Sequence, residues 1–382
     1  MSQRLFYDVV SRCSANNILP LTLKRLIFDD IPLMMGCSQA AITAFSFEMG
    51  CFENVNGKVV FSWRYGQPVP FQHIFIQDFS AIQCMMSLLN HDIFLKYLLF
   101  NFFPVLATKA TFSHSLADIF SIVPFSNDQL QKFIVFLYNA LTERHFVGKL
   151  NNPASYFMER RIIHFLAPKE RTLSEMKKFL KSCCMTCETF TNISEALSVN
   201  EILNNLSYTP KVANQVDRYS LVLRYYSYVN PFYFLNDSVN TQELHAKLHS
   251  LHFRKGYTFQ IPPIVELQDH FRYINDFLFS SVFFDLIITA FIRWYISPLV
   301  SRSLLDHLLL AAMMCLCFIL KLSQDPKINT EYLERKLFWF GRHKLLGNQS
   351  FLEVLIAEHH SIQNPITHSA VSYYIELSNL PR

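Results

Sequence analysis

The sequence predicts a mainly α-helical protein: a helical scaffold over 1–150, a winged-helix-like module with a trailing helix over 151–255, and a helical bundle over 256–382. Three observations carry that prediction. Apolar residues recur at helical spacing through most of the chain, as in Phe94, Leu95, Leu98, Leu99 and Phe102. The stretch Glu159 to Pro168 followed by Thr172, Ser174 and Glu175 reads as an amphipathic helix, a turn closed by proline, and a second helix opened by a hydroxyl cap. Composition is the third. Charged residues make up 17% against roughly 25% in a typical soluble domain, and 37 phenylalanines need an extensive core, a partner or a membrane to bury them.

The elements follow in order. Leu19 to Phe47 reads mostly helical, with Pro32 opening an apolar run through Met35, Ala40, Ala41, Ala44 and Phe45. Asn54 to Gln72 holds Gly57, Gly66, Pro68 and Pro70 and reads as a loop or short hairpin. Helices are expected over Asp78–Leu89, over Asp92–Phe103 ending before Pro104, and over Gln129–Glu143 behind a Ser126-Asn127-Asp128 cap. Three more are expected near 154–167, 172–182 and 194–206. Val212 to Asp217 and Tyr219 to Tyr225 then read as a β-hairpin. Three helices and a hairpin make a winged helix. A helix resumes over Glu243–Phe253, Gly256 to Pro263 reads as a linker, and helices follow over 264–296, 301–322, 330–340 and 350–359.

Several chemistries are excluded. The eight glycines are scattered, no two within five residues. A dinucleotide fingerprint or phosphate loop needs clustered glycines so that backbone N–H groups can approach phosphate. A nucleophile elbow needs two glycines flanking its serine. The net charge of +4 comes without a polybasic run, which gives no electrostatic case for nucleic acid. Nine cysteines without a secreted framework, behind an amino terminus with no apolar leader, point to a reducing cytosolic or nuclear setting.

Four clusters could carry chemistry. Cys183, Cys184 and Cys187 offer one zinc knuckle without a second pair at finger spacing, so inert loop cysteines are the competing reading. His245, His249 and His252 lie along one helical face, but Ala246 stands where a zincin has its glutamate, and a solvated face is the competing reading. His359 and His360 read as an exposed pair near a helix end. Arg160, Arg161, Lys169, Arg171, Lys177, Lys178 and Lys181 decorate the first two winged-helix helices, whereas the third, Ser194 to Leu206, carries Glu195 and Glu201 and no cation. A DNA-reading winged helix concentrates positive charge on that third helix, so the module reads as protein-facing. The surface around Arg160, Arg161, Lys177 and Lys178 is either a partner contact or a solvated basic face. The runs Ser281–Val300 and Leu304–Leu322 raise a polytopic membrane alternative. Asp285 and Arg293 interrupt the first, and the second offers only Leu308 to Leu320 uninterrupted, against the about 20 residues a span needs. Buried core helices are the expectation for both.

Landmarks in a fixed order resemble the middle region of the Ubr-type N-recognins, ubiquitin ligases that bind destabilising N-terminal residues. Gln77-Asp78-Phe79, Ile82-Gln83 and the helix after Asp92 are similar to the segment before that family's winged helix. Glu143-Arg144 with Gly148 resembles the end of a long apolar helix there, and Arg161-Ile162-Ile163-His164 with Leu166 and Ser174 resembles the family's first winged-helix turn. Tyr219, Leu221, Pro262-Pro263, Trp294, Ser301, Ser303 and Leu305 continue the match over about residues 20 to 360. Phe47 to Gly50 departs from the family's pattern. The resemblance implies a spacer of a RING-type ubiquitin-protein ligase of the N-degron pathway. Such a spacer would meet N-degron substrates and a ubiquitin-conjugating enzyme through family modules that have no counterpart here. Zinc belongs to those modules, so no catalytic, cofactor or metal residue carries over, and neither nucleic acid nor membrane is an expected partner. A stand-alone protein-interaction module without ligase activity is the alternative.

Overall fold

The computed structural model describes residues 79–80, 82–87, 89–103, 118–119, 126–181, 199–209, 218–236, 238–324, 344 and 348–379. The helices expected within 19–47 and at 330–340, the loop at 54–72, the strand at 212–217 and the Cys183–Cys187 cluster lie outside them. Within them the chain is mainly helical, with one small antiparallel sheet.

Helical residues 79–80 and 82–87 lead into α1 (His91–Phe102), capped by the Asn90 side chain on the Ile93 N–H. Helix α2 (Asn127–Thr142) opens on a full capping box, Ser126 and Gln129 each satisfying the other's backbone N–H. Pro153 at the first turn and the Asn152 cap start α3 (Pro153–Leu166).

Strand β1 (Arg171–Thr172), helical residues 173–181 (α4), α5 (Val199–Leu206), β2 (Ser207–Tyr208) and β3 (Arg218–Leu221) complete the winged helix. The sheet order is β1-β3-β2, with Arg171 opposite Tyr219 and Ser207 opposite Leu221. The order α3-β1-α4-α5-β2-β3 is that of a winged helix. Two details differ from the sequence reading. The strand pairing with β3 is Ser207–Tyr208, directly after α5, and β3 stops at Leu221 because Leu223–Tyr228 turns into a 3-10 helix. Tyr226 in that turn is buried and donates its hydroxyl to Ala167 O, bracing the end of α3.

Helix α6 (Ser238–Lys255) follows, longer at both ends than expected. The periodicity predicts one helix over 264–296. Instead a 3-10 segment, Asp269–Phe279, meets α7 (Ser281–Ile296) at a bend of 49°. Ser280 makes the break: its backbone is extended and its hydroxyl caps Phe283 N–H. Helix α8 (Leu299–Ser323) packs against α2, α7 and α10 and is buried continuously from Leu308 to Leu320. It is the one described helix long and apolar enough to cross a membrane, by length and composition. Helix α9 (Phe351–Glu358) has a second capping box, Ser350 with Glu353. Helix α10 (Pro365–Asn379) is absent from the sequence reading. Its start repeats the grammar of α3: Asn364 accepts from the Ile366 and Thr367 N–H groups, and proline follows it.

The bundle is shared by distant parts of the chain, since α1 and α2 pack on α7 and α2 on α8. Phenylalanines fill the seams: Phe102 lies 5.0 Å edge-on to Phe133, and Phe291 4.5 Å from Phe351. The expected linker at 256–263 is a packed strap. Phe259 and Ile261 are buried, Phe259 N–H donates to Ser369 Oγ, and Lys321 Nζ reaches Ile261 O at 2.7 Å. Further on, Lys149 N–H bonds to Glu266 O and Gln268 N–H to Val147 O. Apolar side chains at alternate positions gave the segment something to bury, which outweighed its proline and glycine content.

Candidate functional site

Two places in the described structure concentrate polar chemistry: a buried network where the winged helix joins the bundle, and a cavity between the sheet and the helix that follows it.

The network begins with Glu143, just past the end of α2, and Arg160 in the middle of α3. Both are expelled from water, and the guanidinium forks onto both carboxylate oxygens, Nη2 to Oε1 at 2.5 Å and Nε to Oε2 at 3.1 Å. Arg160 also donates to Tyr228 O, which ties it to the 3-10 turn after the sheet. Asn230 Nδ2 donates to Glu143 Oε1 and to Asn139 Oδ1, while Asn139 Nδ2 donates to Val135 O and Phe232 O. Gln83 spans the helix end by donating to Ala140 O and Glu143 O.

His164 sits one turn after Arg160, stacked on the Tyr233 ring at 3.8 Å. Its Nε2 faces the Asn230 N–H at 2.9 Å and can only accept there, so the proton lies on Nδ1 and goes to Arg160 O at 2.7 Å. Protonating Nε2 would break that bond. Burial, with the Arg160 charge beside it, holds the His164 pKa well below the usual imidazole value. His145, stacked with the Phe79 and Phe234 rings and tilted against Phe157, is pushed down to about 3 by burial and then by Arg160.

Arg144 makes the neighbouring joint. Its Nη1 donates to Val265 O at 2.6 Å, its Nη2 to Asn275 Oδ1 at 2.8 Å and its Nε to Leu141 O, with Phe318 under the cation. Burial lowers its pKa to about 10, so it stays charged at neutral pH. Gly148 is needed where the chain passes this joint. A Cβ there would lie 2.4 Å from Arg144 O and 2.7 Å from Val265 Cγ1.

The basic-face expectation is therefore corrected. Arg160, Arg161 and Arg171 are buried. Arg161 lies over the Phe157 and Phe179 rings, and Arg171 over Phe165 with donations to Phe165 O and Asn240 Oδ1. Lys177, Lys178 and Lys181 alone of that group are exposed with no partner among the described residues, since Lys169 pairs with Glu243 at 2.7 Å. The histidine face divides. His245 packs against Phe232 and His307, its ring 4.7 Å from the latter, and burial followed by His307 lowers its pKa to about 4. His249 is exposed, and His252 Nδ1 bonds to Tyr257 O at 2.8 Å. His359 is half-buried, stacked on His368 and bonded to Ser372 Oγ, while His360 is exposed. Among the described residues, no three His, Cys, Asp or Glu side chains gather as a metal ion needs. The described cysteines are buried thiols; burial pushes Cys84 up to about 12, too high for a nucleophile at neutral pH.

The cavity lies between β2, β3, the end of α3 and one face of α6. About 240 Å³ in volume, it is floored by Leu166, Leu221, Tyr226 and Leu251, with Lys169, Lys247 and Lys255 among its walls. Tyr208 and Leu223 at its edge are half exposed. The sequence reading passed over it, although Lys247, Leu251 and Lys255 at i, i+4 and i+8 put two cations and an apolar residue on one helical face.

Fold and site together define a helical-bundle protein with an integral winged helix clamped by buried ionic and amide groups. No protein-family model matches the chain, and no curated protein matches it.

Proposed function

We propose that the chain is a scaffold of an N-degron ubiquitin ligase, holding substrate-recognition and RING modules at a set separation. The observation that carries this reading is the joint itself. Glu143–Arg160 and Arg144–Val265 tie the winged helix, the end of α2 and the bundle together with charge-assisted hydrogen bonds. A spacer needs such fixed joints, because ubiquitin transfer by a RING ligase gains from proximity and orientation. The collinear resemblance to the Ubr-type middle region supplies the pathway. Several of its landmark residues, Gln83, Glu143, Arg144, Gly148 and His164, are the ones that build the joint.

The exposed face of α5 supports a protein-facing winged helix. Asn200, Glu201, Asn204 and Asn205 present amides and one carboxylate, and no cation for phosphate. The buried network has no solvent-facing acid, base or nucleophile, so the scaffold acts by placement. The test is depletion of the endogenous protein in cells carrying reporters that begin with Arg, Phe or Met. The Arg and Phe reporters should lengthen their half-lives several-fold while the Met reporter stays unchanged. Equal half-lives before and after depletion would overturn the N-degron assignment.

A further inference from the structure

We infer that His252, His359 and His368 form an acid-sensitive latch, which holds the start of α10 against α6 and the end of α9 near neutral pH and loosens it when the imidazoles take up protons.

Three separate elements bring these rings together. His252 lies in the last turn of α6, His359 opens the 3-10 turn His359–Ser361 that follows α9, and His368 lies in the first turn of α10. The His359 and His368 rings stack at 3.8 Å with 24° between their planes. All three residues are half-buried, so protons reach them without unfolding, in contrast to the fully enclosed His145 and His164.

Hydrogen bonds fix where the next proton goes. His359 Nε2 lies 2.8 Å from Ser372 Oγ and 3.3 Å from His368 O. Ser372 Oγ gives its own proton to His368 O, so it accepts from His359, and Nε2 carries the ring proton. Nδ1 of His359 is left open. His252 donates Nδ1–H to Tyr257 O at 2.8 Å, which leaves its Nε2 open. Protonation therefore adds charge without breaking a bond inside the cluster. Two imidazolium rings at the stacking distance repel, and nothing in the cluster rewards the added charge.

The surroundings offer no counter-charge. Burial first, then His359 and His252, hold the His368 pKa below the usual imidazole value, and no carboxylate acts on it. Glu358 of α9 is engaged by Arg302 and by the Ser361 hydroxyl. Asp306 of α8 accepts from Trp294 Nε1 and the Asn364 N–H. On the α6 side stand Arg254 and Lys255, both exposed, with His249 a turn earlier. His360 and, two turns along α10, Glu376 face water. Tyr257 joins through its carbonyl alone. The effect reaches the strap, because Ser369, next to His368, takes the Phe259 N–H. With the folded pKa of His368 depressed, the latch is whole above about pH 6.5 and weakens as pH falls below it.

The latch is independent of the ligase reading, since it works within this chain. The experiment is hydrogen exchange of the full chain read by mass spectrometry at pH 7.5 and 6.0, corrected for intrinsic rates. Peptides covering 365–372 should lose at least about threefold protection at pH 6.0, and high salt should reduce the loss by screening the charges. His368→Phe keeps a ring on the stack and cannot charge, so it should lose clearly less than the native chain. His368→Arg fixes the charge and should loosen 365–372 already at pH 7.5, where the enclosed histidines stay neutral. Protection unchanged between the two pH values would overturn the inference. So would a His368→Phe chain as acid-sensitive as the native one, or a His368→Arg chain as protected as the native one at pH 7.5.

Discussion

Glu143→Gln is the sharpest perturbation of this structure. Glu143 and Arg160 have side chains only 3% and 8% exposed, and the carboxylate takes two charge-assisted bonds from the guanidinium. The amide keeps the shape but loses the charge, and its NH₂ group faces a guanidinium donor. Arg160 would then be a buried cation without a counter-charge, left with Tyr228 O, one amide oxygen and the Tyr233 ring. Two unit charges at about 4 Å in an effective dielectric of about 20 attract by about 4 kcal/mol. Removing one partner of a buried pair costs about 3–5 kcal/mol by mutational precedent. Both routes give the same size. Urea unfolding followed by circular dichroism should therefore show Glu143→Gln and Arg160→Met each destabilised by about 3–5 kcal/mol. The double change Glu143→Leu with Arg160→Met should recover most of that loss, since well-packed apolar replacements of buried pairs come out near neutral. Single variants within about 1 kcal/mol of the native protein, or a double variant as unstable as the sum, would refute the buried-pair account.

Three further outcomes follow from the same geometry. His145, His164, His245 and His307 all have pKa values below the unfolded imidazole value, through burial first. The unfolded chain then binds more protons below about pH 6.5, so stability is whole above that pH and lost as pH falls toward 4. Each of these imidazoles contributes up to about 1.4 kcal/mol per pH unit in that window; urea midpoints unchanged between pH 7.5 and 5 would contradict it. Gly148→Ala should cost about 1–3 kcal/mol, because backbone and Val265 crowd the new methyl, and its melting temperature should fall, whereas an unaffected melt would mean that the joint relaxes freely. Asp306→Ala should lose about 1–3 kcal/mol by orphaning Trp294 Nε1, and the Asn364 N–H at the start of α10. Hydrogen exchange should quicken first in α10, and uniform protection there would argue against the capping role.

Local grammar was legible in the sequence where the chain's own neighbours decide the outcome. The Ser126-Asn127-Asp128 cap announced its helix because a cap needs only residues within one turn. Asn364-Pro365 carried the same signal at α10 and went unread. Distant partners hid the rest. Arg160 and Arg161 look like solvent residues until Glu143, Phe157 and Phe179 are placed around them. His245 looks solvated until α8 brings His307 against it. Ser280 in an apolar run gives no warning of a bend, since a serine hydroxyl serves a helix interior or a cap equally well on paper. The lysine-walled cavity needed the sheet, which only the pairing of β3 with both β1 and β2 assembles.

The strap over 256–268 has a consequence for how this molecule comes apart. Its backbone is bonded to the turn after α2 on one side, and to α8 and α10 on the other. A protease that nicked it would leave two fragments still gripping each other, migrating as one species until denaturant is added. Severing the gene at the same place would make two polypeptides that must find one another before either finishes folding. The stretch that looks most like a hinge on paper is thus the seam along which the halves are sewn.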